Sequence, residues 1–199
     1  MSDQQVDKAR RNWVVAACGT GAVGGLATAV PFVSTFTPSE KARAAGAPVE
    51  ADVSDLQPGA MKTVEWRGKP VWIVRRTPEQ LAALAKIEGE LADPNSERKP
   101  DELTPVYARN RHRSVKEEYL VCVGICTHLG CSPSSKFQAG PQPSLPDNWQ
   151  GGFLCPCHGS TFDMAGRVFK NKPAPDNLEV PPHKYLSDTK ILVGDDSKA

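Results

Sequence analysis

The chain reads CTHLGC at residues 126–131 and CPCHGS at residues 155–160. These two stretches contain four of its six cysteines and two of its four histidines. Six cysteines are too few to hold a chain of 199 residues as a disulfide scaffold, and their grouping with histidines indicates a metal site. Two cysteines and two histidines can ligate an iron–sulfur cluster, and the same donors can hold zinc.

The spacing of the donors favours iron over zinc. C-x-H is not the usual spacing of a zinc finger, and a further cysteine pair beside zinc would need a separate explanation. The two motifs resemble C-T-H-x-G-C and C-P-C-H-G-S of the Rieske iron–sulfur family, and the resemblance extends weakly over most of the chain. It implies one [2Fe-2S] cluster, with Cys126 and Cys155 on one iron and His128 and His158 on the other.

The resemblance also assigns roles to residues around these ligands. It implies a disulfide between Cys131 and Cys157 that would join the two loops. Leu129 is implied to be an apolar contact at an exposed docking tip. The stretch KPAP at residues 172–175 is similar to the proline loop of the family, in which Pro173 would help to shield the cluster, although lysine replaces the usual leading glycine.

Histidine ligation is expected to raise the redox potential. Two ferric ions, two sulfides and two thiolates sum to zero charge, whereas four thiolates would leave a dianion, so potentials rise from about −400 mV into a range of about −150 to +300 mV. The resemblance implies that Ser160 donates a hydrogen bond to a bridging sulfide and raises the potential further. High-potential members carry tyrosine at the position of Phe162, so we expect a midpoint in the lower part of the range that allows quinol oxidation.

His128 and His158 are predicted to be the catalytic residues. Ferric iron lowers the pKa of a bound imidazole and reduction raises it again, so electron transfer can be coupled to proton transfer. This coupling requires the free ring nitrogens to lie at the tip of the domain, where one could accept a hydrogen bond from a quinol. Two buried histidines would instead fit a soluble Rieske ferredoxin.

An uncharged run rich in glycine and alanine predicts a transmembrane anchor at residues 13–36, which is longer than the roughly 20 residues that cross a bilayer. Lys8, Arg10 and Arg11 precede it. The positive-inside preference therefore places residues 1–12 in the cytoplasm and the large domain in the periplasm of a bacterial inner membrane. The arginine pair also resembles a twin-arginine signal, which exports folded proteins.

Residues 37–52 are small, polar and punctuated by proline, which predicts a flexible tether or hinge. A hinge would let the following domain move between two partners, whereas an inert linker is the alternative. Residues 45–47 read AGA, like a signal-peptide processing site, but they lie well beyond the apolar run and after charged residues. We therefore expect the anchor to be retained.

Residues 53–199 are predicted to form a mainly β, antiparallel domain of Rieske type, with a helical insertion and a cluster-binding subdomain at about 124–176. The apolar pattern predicts strands at 61–66, 71–74, 119–123, 167–169 and 190–193, a helix at 78–91 and a surface loop at 93–114. Cys18 and Cys122 are expected to act as small apolar residues. His112 and His183 lie outside both motifs and are expected at the surface.

A net charge of +1 without a cationic stripe gives no indication of a nucleic-acid surface, and none is expected. The resemblance, the anchor and the tether together predict a Rieske protein that serves a quinol:cytochrome c oxidoreductase of the respiratory chain. It would accept one electron from (ubi)quinol with proton release, pass it to cytochrome c1 and so contribute to proton-motive force. The second electron would go to cytochrome b in a membrane complex expected to be dimeric. The alternative is the small Rieske subunit of a periplasmic oxidoreductase such as an arsenite oxidase.

Overall fold

The computed structural model describes residues 7–197, and the predictions for residues 1–6 lie outside this range. The chain divides after Ala44 into two units. The N-terminal unit contains the apolar helix α1 (Lys8–Ser34), which Asp7 caps by accepting two backbone hydrogen bonds. None of the helix is buried, and with a mean hydropathy of 1.6 it is long and apolar enough to cross a bilayer. The helix covers the predicted anchor except for residues 35–36.

The predicted tether, 37–52, is wrong at its C-terminal end. A short helix, α2 (Glu40–Ala45), lies inside it, and strand β1 (Val49–Asp52) pairs with residues 190–193. The strand was missed because Glu50 and Asp52 are charged and Ala51 is small, so only Val49 gives a clear apolar signal. Ala51 is buried while its neighbours Glu50 and Asp52 are exposed, which is the alternation of a strand with one covered face.

Antiparallel strands build the C-terminal unit, as the sequence predicted. In chain order after β1 they are β2 (Met61–Trp66), β3 (Lys69–Arg75), β4 (Tyr119–Val123), β5 (Ser134–Lys136), β6 (Gly152–Leu154), β7 (Thr161–Asp163), β8 (His183–Ser187) and β9 (Lys190–Val193). They form three sheets with the orders β1-β9-β8, β2-β3-β4 and β5-β6-β7. The first sheet is the base sheet, the second the central sheet, and the third carries the two cysteine loops.

The central sheet separates two hydrophobic cores. In β3, Val71 and Ile73 pack into the core shared with the base sheet, whereas Trp72 and Val74 pack into the core shared with the cysteine loops. Successive side chains of a strand point to opposite faces, so a continuous apolar run serves both cores at once. On the loop side, Trp72 stacks on Phe153 of β6 with ring centroids 5.1 Å apart.

The predicted helix at 78–91 is correct at its start and too long at its end. Helix α3 spans Pro78–Lys86, and Thr77 and Gln80 form a reciprocal capping box at its first turn. The chain then tightens into a 3₁₀ turn at Glu88–Glu90. Leu91 is extended and bridges to Phe169, where its side chain is buried. Its apolar character therefore reflects core packing and not a further helical turn.

Two other predictions are corrected. Residues 167–169 form isolated bridges only, because the turn after β7 brings Val168 back against Phe162 at a single position. The predicted loop at 93–114 contains a short helix, α4 (Pro100–Leu103), and a 3₁₀ turn at Val106–Ala108. Arg113 from this segment is fully buried, and its guanidinium donates to the carbonyl oxygens of Ala165 and Leu178. The loop thus contributes to the core beneath the third sheet.

His183, expected at the surface, is fully buried in β8. Its Nδ1 lies 2.8 Å from the carbonyl oxygen of Pro181, which can only accept a hydrogen bond, so Nδ1 carries the proton. Its Nε2 is buried and has no hydrogen-bond partner within the described range. Burial lowers the pKa of the ring below its usual 6.5.

We expect this histidine to make the fold less stable in mild acid. Because its pKa is lower in the folded protein, the unfolded chain binds more protons below pH 6.5, and stability falls with the pH. In a His183→Phe variant this contribution is absent. As the pH is lowered from about 7 to about 5, the wild-type protein should lose at most about 1.4 kcal/mol of unfolding free energy per pH unit relative to this variant. His112 and the metal centre are common to both proteins, and a constant difference would contradict the prediction.

Candidate metal centre

The two cysteine loops have the same backbone shape. Each begins at a cysteine and is closed by two backbone hydrogen bonds of 2.8 and 3.0 Å, one from its first residue and one to it. The four bonds run from Cys126 N–H to the Cys131 oxygen, from Gly130 N–H to the Cys126 oxygen, from Cys155 N–H to the Ser160 oxygen and from Gly159 N–H to the Cys155 oxygen. Two loops of matching backbone shape therefore follow two different strands, β4 and β6.

Each loop needs glycine at its fifth position. Gly130 and Gly159 have φ angles of 80° and 74°, in the left-handed region that side-chain-bearing residues avoid. The space around both Cα atoms is open, so the requirement is conformational and not steric. The shared glycine of the two motifs is thus explained by backbone geometry alone.

The loops place thiols inward and imidazoles outward. Cys126 and Cys155 are each 2% exposed and belong to the core below the loops. His128 is half-buried and His158 is exposed. The two rings stand edge to face with centroids 4.7 Å apart. The two thiols are therefore buried below the loops, and the two imidazoles lie side by side toward the surface.

A disulfide joins Cys131 to Cys157 and links the two loops. The Sγ atoms of Cys131, Cys155 and Cys157 lie within 4.8 Å of one another. Disulfide sulfurs are not thiolates, so two of these three atoms are poor metal ligands. Within the described range, Cys126 and Cys155 are the free thiols of the two loops.

The donor set fits an iron–sulfur cluster. Burial, and secondarily the adjoining Cys155 thiol, raise the pKa of the Cys126 thiol. A bound metal ion would supply the positive charge that favours the thiolate instead. Two buried sulfur donors and two neighbouring imidazoles match the mixed ligation of a Rieske centre.

A third loop, residues 171–176, is hydrogen-bonded to both cysteine loops. The backbone N–H of Ala174 donates to Ser160 Oγ at 3.0 Å, and Thr127 Oγ1 donates to the carbonyl oxygen of Asp176 at 2.6 Å. The Asp176 carboxylate pairs with Lys99 at 3.0 Å. Thr127, Lys99 and Asp176 were not identified from the sequence. Thr127 could have been identified because it lies inside the first motif. The ion pair of Lys99 with Asp176 joins residues far apart in the chain, so no sequence motif indicates it.

Ser160 is placed to donate a hydrogen bond. It is fully buried, and its oxygen already accepts the hydrogen bond from Ala174. A hydroxyl is both donor and acceptor, so Ser160 can still donate, and its hydrogen bond with the Cys126 thiol opposes the rise in the pKa of that thiol. The hydroxyl therefore lies beside one of the two predicted sulfur ligands.

Phe162 is fully buried in β7, where it pairs with Phe153 of β6. A Phe162→Tyr substitution is expected to raise the midpoint potential, because a buried tyrosine hydroxyl seeks an acceptor and a hydrogen bond to a cysteine sulfur would stabilise the reduced state. One such bond contributes about 0.5–1.5 kcal/mol, and a tenfold change corresponds to about 59 mV for one electron, so we expect a rise of about 20–60 mV. Phe137→Tyr is the control in an EPR-monitored redox titration, because Phe137 also contacts Phe153 but lies outside β7 and both cysteine loops. An unchanged or lower midpoint would refute the hydrogen-bond account.

The fold and the two loops define this chain as a Rieske-type protein, and the Rieske [2Fe-2S] domain family matches its residues 94–182. The ubiquinol-cytochrome c reductase iron-sulfur subunit of Allochromatium vinosum is 57% identical over 199 residues, which cover 98% of this chain and 93% of that protein. The subunit of the same name from Bradyrhizobium diazoefficiens is 41% identical over 187 residues, 93% of this chain and 94% of that protein. The chain belongs to the family of ubiquinol-cytochrome c reductase iron-sulfur subunits, and its cofactor is a [2Fe-2S] cluster.

A solved structure described as hyperthermophilic respiratory Complex III is 28% identical, with a TM-score of 0.47, and the match covers 89% of this chain and 98% of that one. The family assignment rests on the sequence relatives. It confirms the predicted fold class and cofactor and gives the chain an electron-transfer role within a reductase complex. The rival assignment to a periplasmic oxidoreductase is not supported by these relatives.

Proposed function

We propose that this subunit takes single electrons from a quinol at the exposed tip of its C-terminal unit. Cys126 and Cys155 would hold one iron, and His128 and His158 the other. The cluster supplies a site that accepts one electron at a potential within reach of quinol. The observation that carries the proposal is the exposure of His158 beside the half-buried His128, while both free thiols are buried.

The residues of the tip would bind and orient the quinol. An exposed imidazole edge can accept a hydrogen bond from a quinol hydroxyl and later hold its proton. Leu129 is 70% exposed on the first loop and offers an apolar contact next to that ring. Residues that contact a partner are often carried on surface loops, so we assign Leu129 to docking. Pro173 is also exposed, at the start of the third loop, and would shield the centre from water.

The N-terminal unit would hold the subunit in the membrane. A single apolar helix fits a single-pass anchor. Lys8, Arg10 and Arg11 at its start favour a cytoplasmic N-terminus and a periplasmic C-terminal unit in the inner membrane. The arginine pair supports export by the twin-arginine route. The segment at 35–48 would act as the hinge for movement toward cytochrome c1, with cytochrome b receiving the second electron in a dimeric complex.

An EPR-monitored redox titration of dithionite-reduced, washed membranes tests this function. A Rieske-type signal with a positive midpoint, whose line shape changes with an inhibitor of the quinol site, is the expected result. Absence of the signal would refute the ligand assignment. A signal in the soluble fraction that ignores the inhibitor would instead indicate a periplasmic oxidoreductase without a quinol-binding tip.

A further inference from the structure

The three loops that form the tip of the C-terminal unit contain one exposed charged side chain, Lys172. These loops span residues 126–131, 155–160 and 171–176, and the first two contain no Asp, Glu, Lys or Arg. In the third, Asp176 is buried and paired with Lys99. Lys172 is exposed and forms no ion pair or hydrogen bond with any residue between 7 and 197. Lys172 is therefore the exposed charged residue within these loops, and Arg98, whose guanidinium donates to the carbonyl oxygen of Pro175 at 2.6 Å, brings a second cation against the third loop from outside it.

The backbone keeps this cation beside the second cysteine loop. Lys172 lies two residues before Ala174, whose N–H is bonded to Ser160 Oγ at 3.0 Å. Two residues of chain span at most about 7 Å, so the Lys172 backbone cannot lie far from that loop. Lys172 also lines a cleft of about 320 Å³ together with Thr161, the residue that follows Ser160. Glu90 lines the same cleft without forming an ion pair with the lysine.

We propose that Lys172 raises the midpoint potential of the cluster. Reduction adds one electron and hence one negative charge to the centre, and a nearby cation stabilises the more negative state. Lysine replaces the uncharged glycine usual in this loop, so the charge would partly offset the tyrosine hydroxyl missing at Phe162. The inference rests on the proposed ligation by the two loops.

Solvent limits the size of the effect. Over a separation of about 10 Å, with an effective dielectric constant of about 40–80, the interaction changes the ratio of reduced to oxidised cluster by about two- to fourfold. Screening becomes strong when the salt concentration brings the Debye length below that separation, near about 0.1 M. A dependence on ionic strength therefore distinguishes a charge effect from a change in loop structure.

The test uses the full-length, membrane-bound protein and EPR-monitored redox titrations at low and high salt. At the wild-type midpoint and low salt, Lys172→Gln should lower the ratio of reduced to oxidised cluster by about two- to fourfold, and Lys172→Glu by about the square of that factor. Lys172→Arg should restore the wild-type ratio. Lys170→Gln is the matched control. This lysine lines the same cleft, but its ammonium group is held at the carbonyl oxygen of Gly89 at 2.8 Å and its backbone lies four residues before Ala174, so it should have a smaller effect.

Each outcome decides the proposal. A ratio that follows the charge at position 172 and converges at high salt supports it. An unchanged ratio in Lys172→Glu, an equal shift in Lys170→Gln, or a shift in Lys172→Arg as large as that in Lys172→Gln overturns it. Loss of the EPR signal in the wild-type protein would instead refute the ligand assignment, so failure of the two proposals can be told apart.

Discussion

Replacement of Cys155 by serine is expected to abolish cluster binding. A serine hydroxyl is far less acidic than a thiol and a poor ligand for iron–sulfur clusters, and within the described range the two loops contain no third free thiol to replace it. The Rieske EPR signal and the iron content should both fall to background. The same result is expected for Cys126→Ser, because Cys126 is buried to the same extent as Cys155 and is the second predicted sulfur ligand.

Cys122→Ala is the matched control for this experiment. Cys122 is a free cysteine, fully buried in β4 and part of the same core. It lies outside both loops, so removal of its sulfur should leave the iron content and the EPR signal intact. A full cluster in Cys155→Ser, or its loss in Cys122→Ala, would show that the thiols have been assigned incorrectly.

Gly152→Ala is expected to prevent folding of the cluster-binding sheet. Gly152 in β6 has a φ angle of 149°, which is accessible essentially to glycine alone. A Cβ atom there would overlap the carbonyl oxygen of Phe162 in β7, a backbone atom that cannot turn aside. We expect a loss of more than about 4 kcal/mol in unfolding free energy, at the extreme of single substitutions.

The control for this substitution is Gly68→Ala, in the turn between β2 and β3. Gly68 also has a positive φ angle, 71°, but the space around its Cα is open. The variant should therefore lose only about 1–2 kcal/mol, the cost of the left-handed conformation. Chemical denaturation followed by circular dichroism measures both. Equal losses in the two variants would show that the steric conflict at Gly152 is relieved by movement of the strands.

The sequence predicted more of the metal centre than of the fold around it. Ligand type and spacing are local properties, so the two motifs were sufficient to indicate a Rieske cluster. The strands β2, β3 and β4 were also predicted. Apolar residues form continuous runs in β3 and β4, and in β2 they are interspersed with polar residues between turn signals. Strand β1 was missed, since Ala51 is a small residue that gives only a weak apolar signal.

The remaining errors concern contacts between distant segments. Leu91 extended the apparent helix because its apolar side chain serves a bridge to Phe169, far along the chain. His183 was expected at the surface, yet β8 places it against Tyr107, with ring centroids 5.5 Å apart. Neither pairing has a local signature. Long-range contacts of this kind decide which polar residues are enclosed, and a single sequence does not reveal them.

The two-sided burial of the central sheet also protects the alignment of its strands. A shift of β3 by one residue would exchange the faces of Trp72 and Ile73, moving the indole away from Phe153 and toward the base sheet. Both cores would then be filled with side chains of the wrong volume. Gly124, over which the Trp72 ring lies, would lose its matching partner in the same step. A shift in strand alignment therefore destabilises both cores. Because the first cysteine loop follows β4, the same packing fixes its position relative to the second loop.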